Sequence, residues 1–233
     1  MHSSVGGRTN NEDYCDYDHG TQNPVFALAD GLGGYECGEI ASEIAVRTAI
    51  SQLKGNSRTD LYQVLAQANR DLLQCQASDP SLKKMRTTAV CARLVSDRLH
   101  YASIGDSRFY YFKAGKQYVR TKDHSVPQLA SDAGQLDESE IRYSEDRNKL
   151  VKVLGDSEEL VMPEPMLPVA VERGDAFLLC SDGFWENVFD LEMEIDLLKS
   201  VSAEEWAHRM LTRLLLRISG NHDNYSLICV KVF

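Results

Sequence analysis

The sequence predicts an α+β protein with antiparallel sheets, and three observations lead there. Unbroken apolar runs, "VFALA" (Val25 to Ala29), "AFLLC" (Ala176 to Cys180) and "YSLICVKV" (Tyr225 to Val232), read as buried strands. In the middle of the chain, "TTAVCARLV" and "RFYYFKAG" are rich in β-branched and aromatic residues, and the short polar connections "DRL" (Asp97 to Leu99) and "KAGKQ" (Lys113 to Gln117) give hairpin spacing and antiparallel neighbours. Helical stripes occupy the intervals between strands.

In chain order, the first structured segment is "GGRTNNEDYCDY", and the short lead "MHSSVGG" leaves room only for an abbreviated first strand. After the Val25 to Ala29 strand come two helices. Ile40, Ile44 and Thr48 share one face of the first, and Leu61, Val64, Leu65, Ala68 and Leu72 repeat at helical spacing in the second. "KGNSRTD" is their loop, with Asp60 as N-cap of the second. Ser131 to Glu159 is acidic and weakly periodic, a surface excursion of helix and loop of the length that often serves function. A last helix carries Ala203, Trp206, Ala207, Met210 and Leu214, and "SGN" ends it before the final strand.

The chain has 233 residues, of which 43% are hydrophobic and 26% charged, a size and balance expected of one domain spanning 1–233 with a core able to bury catalytic groups. A net charge of -10 disfavours a partner held by phosphate-backbone electrostatics, so no nucleic acid is expected. The six cysteines are scattered without a CxxC pair, which argues for a reducing compartment and against a cysteine zinc site. No secretory leader and no apolar run near the roughly 20 residues needed to cross a bilayer is visible, so a cytoplasmic protein without membrane attachment is expected, as a monomer.

Carboxylates recur where the apolar runs end. "LADG" ends one run at Asp30, "IGDS" another at Asp106 and "CSDG" a third at Asp182, while "HDN" opens the last strand at Asp223. A single Asp-Gly after a strand is a turn signal. Four such positions brought to one rim would repel unless protons or cations intervened. Oxygen ligands beside small residues suit magnesium or manganese better than zinc. Two such ions about 3.5–4 Å apart could clamp a phosphoryl group and ionise water near neutral pH. Arg8, four residues before Glu12, supplies a guanidinium whose planar fork binds two phosphate oxygens at once.

"RTNNED", "DGLGG", "GDSR", "SDG" and "HDN" stand in an order and spacing that resembles the metal-dependent serine/threonine protein phosphatases of type 2C, in their compact bacterial form, over nearly the whole chain. The resemblance implies a four-layer α-β-β-α sandwich, two central antiparallel sheets flanked by helix pairs, with metals at one edge and the excursion from 131 to 159 as a flap beside them. It implies that Asp30 bridges two ions, that the Gly31 carbonyl helps hold one, that Asp182 and Asp223 complete the protein ligands, and that Glu12 binds through water. Arg8 matches the phosphate-binding arginine, Asp13 and Asn224 match supporting positions, and Asp106 matches the acidic position that helps hold a weaker third ion. The expected cofactors are Mn2+ or Mg2+. The expected substrates are phosphoproteins, and the expected partner is a serine/threonine kinase whose action is reversed, in bacterial signalling or secretion control.

The implied reaction is direct attack of activated water on the phosphomonoester, with no phosphoenzyme. The site must supply on the order of 20 kcal/mol or more, mostly electrostatic. Leu32 departs from family members that carry a histidine after the Asp-Gly pair and cannot protonate the leaving oxygen. His19, His124 and His222 are candidates by residue type, and His222 has the better case because it adjoins Asp223. Cys37 in "ECGEIASE" lacks the nearby arginine of a tyrosine phosphatase loop and reads as a small buried residue. Two other readings share features of the pattern: a phosphoprotein-binding pseudophosphatase, against which intact Asp30, Asp182 and Asp223 argue, and a two-metal phosphodiesterase or nuclease, which would need a basic track.

Overall fold

Among the described residues ten strands form two five-stranded antiparallel sheets, and alternate side chains along the central strands enter two different cores. The computed structural model describes residues 1–20, 22–32, 37–55, 58–157, 160–163 and 166–233. Gly33 and Gly34 of the expected glycine turn, Glu36 beside Cys37, Asn56 and Ser57 of the interhelical loop, and Glu159 at the end of the excursion lie outside these.

One sheet contains β2 (Asp13–Asp18), β3 (Val25–Asp30), β4 (Ala89–Val95), β5 (Arg98–Ile104) and β8 (Val169–Ala170), in that order. The other runs β1 (His2–Ser4), β10 (Tyr225–Lys231), β9 (Ala176–Cys180), β6 (Arg108–Lys113) and β7 (Lys116–Arg120). All ladders are antiparallel, as the hairpin spacings predict, and the turns close at Ser96-Asp97 and Ala114-Gly115.

Why the central runs are continuously apolar is now explicit. On β3, Val25, Ala27 and Ala29 face the core under α1 (Gly38–Leu53) and α2 (Leu61–Ser78), while Phe26 and Leu28 face the other sheet. On β9, Phe177 and Leu179 meet them between the sheets, while Ala176, Leu178 and Cys180 face α5 (Asp190–Leu198) and α6 (Ala203–Arg217). Period-two alternation persists, but both faces are apolar because both are covered. The result is the four-layer sandwich.

The Asp60 side chain caps α2 by accepting from Tyr62 and Gln63 N–H, and the predicted stripe from Leu61 to Leu72 is buried. In α6, Trp206, Met210 and Leu214 are buried, with Ala203 and Ala207 at the margin of the stripe. The face expected for α1 is corrected. Ala41, Ala45, Ala49 and Leu53 are buried, whereas Ile40 lies outside at 36% exposure and Thr48 turns its hydroxyl to Asp71 of α2. Ile44 packs at the margin of the core as expected, and alanines let α1 lie close on β2 and β3, so the contact stripe centres on the small residues.

The excursion expected from 131 begins earlier, with α3 (Val126–Asp132), and continues through a 3-10 turn (Glu138–Tyr143), with no strand among its described residues. Its base is closed by Val126 N–H on Lys149 O and Val151 N–H on His124 O. Among the described residues, no helix is long and apolar enough to cross a membrane.

Between the sheets, Phe177 is fully buried, and Phe177→Ala should cost about 3–5 kcal/mol in urea unfolding, whereas Leu216→Ala, on a side chain 82% exposed, should change stability by less than about 0.5 kcal/mol. Glu192 joins α5 to α6 by accepting from Arg213 and Arg217. The Arg217 hydrogen bonds pull its carboxyl from an ordinary 4.5 down to about 2. Below 4.5 the unfolded chain binds the proton first, so this contribution is present above that pH and is lost as pH falls through about 2. Glu192→Gln should therefore be less stable than wild type by about 1 kcal/mol at neutral pH, after allowance for solvent screening, and the gap should close on acidification.

Candidate metal centre

The acidic motifs meet because each lies at a strand end on the same edge of the sandwich. Asp30 closes β3, Asp106 sits in the turn from β5 to β6, Asp182 opens the short helix α4 (Asp182–Trp185) after β9, and Asp223 precedes β10. Asp13 opens β2 and pairs directly opposite Asp30 across the ladder. Together with Glu12, Gly31, Arg8 and Asn224, the carboxylates Asp30, Asp106, Asp182 and Asp223 line a cleft of about 690 Å³. Asp13 lies behind it, buried.

The glycines after two of these aspartates mark close backbone approaches. A Cβ on Gly31 would come within 2.1 Å of the Gly38 carbonyl oxygen at the start of α1, and one on Gly183 within 2.0 Å of the Asn224 carbonyl oxygen. Any side chain at either position would spread the edge that gathers the carboxylates.

Main-chain hydrogen bonds fix the frame. Asp30 N–H donates to Thr88 Oγ1 at 3.0 Å, and Thr87 Oγ1 donates to Asp30 O at 2.8 Å. Asn224 stitches the N-terminal segment to the last strand: its Nδ2 donates to Val5 O (2.8 Å) and Asn10 O (2.9 Å), and its Oδ1 accepts from Glu12 N–H (2.8 Å). Ser181 Oγ donates to Asp13 Oδ2 at 2.7 Å, while the buried Asp13 Oδ1 has no hydrogen-bond partner.

Burial, followed by the neighbouring Asp182 and Asp13, lifts the Asp30 carboxyl well above its ordinary range. Burial and then Asp182 do the same to Asp106, and burial and then Asp223 raise Asp182. Asp13 is pushed up to about 7, by burial first. Burial raises Glu12, and Glu39 and Asp223 add to the effect. Crowded anions of this kind take up protons or cations.

The donors fit a hard divalent ion. They are carboxylate and carbonyl oxygens, and an orphaned buried carboxylate oxygen stands directly behind them. Among the described residues, no three His, Cys, Asp or Glu side chains form a cage able to hold an ion by themselves. Such a donor set suits ions that complete their shell with water, and it does not suit zinc.

Arg8 lies at the mouth of the cleft, half-exposed, with Nη2 donating to Asp223 Oδ2 at 2.9 Å. None of the candidate histidines lines the cleft. His222 turns Nδ1 toward Gly220 O, His124 lies under the Asp106 turn against Gly105 O, and His19 is beside Tyr17 at the far end of β2. Leu32 is in the wall, and Cys37 packs against the core beneath α1 and α2.

Thr9 and Asn10, within the first motif but given no role by it, also line the cleft, as do Asn148, Leu150 and Asn221, which no motif announced. Asn148 and Leu150 come from the excursion, which is tied to the C-terminal end of α4 by Arg147 to Glu186 at 3.0 Å and by Arg142 Nη1 to Trp185 O at 2.6 Å. Glu186, which sequence reading passed over, is pushed up to about 7 by burial and then by Asp182. Its only sequence signal is its place one helical turn after Asp182.

Comparisons with known proteins identify the family and the fold. The family model described as Protein phosphatase 2C matches residues 2–219. The serine/threonine phosphatase stp of Listeria innocua is 27% identical over 223 residues, 92% of this chain and 87% of that protein. The crystal structure of serine/threonine phosphatase Stp1 from Staphylococcus aureus superposes with a TM-score of 0.89 at 26% identity, covering 100% of this chain and 93% of that one. The catalytic domain of the serine/threonine protein phosphatase PstP, in complex with two manganese ions, gives a TM-score of 0.81 at 27% identity, covering 100% of this chain and 96% of that one. With its fold, its ordered motifs and a family match across nearly its full length, the chain belongs to the protein phosphatase 2C family.

Proposed function

We propose that the protein is a metal-dependent serine/threonine phosphatase, a single catalytic domain over 1–233 that hydrolyses phosphoserine and phosphothreonine at a centre taking two manganese or magnesium ions. One observation carries the reading: Asp30, Asp106, Asp182 and Asp223 converge on a cleft that has Arg8 at its mouth. The relatives' names support the substrate class, and the manganese in the PstP structure supports the metal.

In this reading Asp30, the Gly31 carbonyl, Asp182 and Asp223 would hold the two ions, Glu12 would act through water, and Asp106 would serve a weaker third ion. When bound, the ions supply Lewis acidity and lower the pKa of the water they hold. The protein's own groups do the positioning. Arg8 offers a planar fork to two phosphoryl oxygens, and Asn224 and Asp13 hold the strands that present Arg8, Glu12 and Asp30. Asn148 and Leu150 bring the flap against the substrate. The net charge of -10 favours a phosphopeptide over a polyanionic nucleic acid. The proposed setting is the cytoplasm, as a monomer opposing a partner serine/threonine kinase.

The test is hydrolysis of a phosphothreonine peptide by metal-stripped protein titrated with Mn2+ or Mg2+. Turnover should require metal, Asp182→Asn should lower kcat by about 100-fold or more, and Arg8→Ala should chiefly raise KM, about tenfold. Metal-independent turnover would contradict the reading. Binding without hydrolysis would make the chain a pseudophosphatase, and cleavage of DNA instead would make it a nuclease. Asn224→Ala strands the Glu12 N–H and should cost about 1–3 kcal/mol by thermal unfolding, while raising KM along with Arg8→Ala.

A further inference from the structure

Behind the carboxylates lies a second polar cluster that the proposed chemistry does not use. Arg108 and Asp123 form a buried ion pair, with Nε donating to Oδ1 at 2.8 Å and Nη2 to Oδ2 at 2.6 Å. Arg108 Nη1 also donates to the Tyr110 hydroxyl at 3.1 Å, and its guanidinium carbon lies 3.3 Å from the centroid of the Trp185 ring. The Trp185 indole N–H donates to the main-chain oxygen of Asp106 at 3.0 Å. Trp185 is also the last residue of α4, which Asp182 opens, and its carbonyl accepts from Arg142 of the flap.

A buried ion pair is a poor source of net stability, because removing two charges from water offsets most of their attraction. What this one provides is direction. The bidentate pair orients the guanidinium, the guanidinium holds the indole plane, and the indole N–H reaches the backbone of one predicted ligand from the helix that carries another. Divalent ions such as magnesium demand oxygen ligands placed to a few tenths of an ångström, so this link acts on ion binding.

We propose that Trp185, held by Arg108, is a positioning residue that fixes Asp106 relative to Asp182 and so sets the affinity of the Asp106 corner for a divalent cation. The proposal rests on Asp106 being a cation ligand, and its test separates the two claims. The other polar anchors of that turn, Ser107 Oγ to Thr88 Oγ1 at 2.7 Å and His124 N–H to Gly105 O at 2.8 Å, hold the residues on either side. The tryptophan bond is on Asp106 itself.

Mn2+ is titrated calorimetrically into the full metal-stripped chain, with melting followed in parallel. Trp185→Phe keeps a ring for Arg108 to stack on and removes the N–H donor together with part of the buried ring system, whose packing cost the melting curve reads separately. The tight Mn2+ sites should be unchanged, the dissociation constant of the weakest site should rise about tenfold, and adding Asp106→Asn should weaken it no further than Asp106→Asn alone. If Asp106→Asn abolishes the weakest site while Trp185→Phe reproduces the wild-type isotherm, the positioning role is overturned. Equal weakening of every site with a lowered melting temperature would also overturn it, leaving Trp185 a packing residue. If Asp106→Asn leaves the weakest site intact, Asp106 is not a ligand and the proposal fails for that reason. Should Trp185→Phe not fold, Arg108→Lys keeps the charge but loses the fork, and it should show a smaller weakening confined to the same site; an unaltered isotherm there would overturn the proposal.

Discussion

Like-charge repulsion among carboxylates at one edge of the sandwich is the constraint around which the structure is arranged. Burial first, and then a neighbouring carboxylate (Asp182 beside Asp30 and Asp106, Asp223 beside Asp182), raises the affinity of Asp30, Asp106 and Asp182 for protons. Left to local preference, such groups would turn into solvent. They are held together because their backbones are strand ends in ladders paid for by a double apolar core, and because Gly31 and Gly183 allow the flanking elements to close to van der Waals distance. A fold this committed to gathering anions makes chemical sense when cations occupy the gathering point.

The two-sheet architecture gives that edge its rigidity. Every central strand is clamped between an intersheet core and a helical core, so strand ends move little relative to one another. The excursion reaches the cleft through Asn148 and Leu150 while Arg142 and Arg147 fasten it to the residues around α4, so this wall of the cleft is linked to the helix that carries Asp182.

Much of this was legible in the sequence for identifiable reasons. Continuous apolar runs betrayed β3, β9 and β10, since strands covered on both faces lose their polar alternation. The aspartates were legible because each terminates or begins such a run. The buried face of α1 was not, because its alanines carry little hydrophobic signal and Ile40 outweighs them although it is exposed. Asn148, Leu150 and Glu186 escaped notice because nothing local distinguishes them, and their place in the site comes from tertiary contacts. The link from Arg108 through Trp185 to Asp106 joins residues separated by 79 positions at its last bond, and no periodicity reports such a contact. The histidines show the opposite error: residue type suggested chemistry at His222, and the fold turns it away from the cleft.

The central claim is that these carboxylates form a divalent-cation site, and the most direct test is a crystal structure of the protein with Mn2+, with manganese located by its anomalous scattering. The account predicts peaks in coordination contact with Asp30, Asp182 and Asp223. Peaks elsewhere on this acidic chain, with none within about 3 Å of the Asp30 carboxylate, would contradict it.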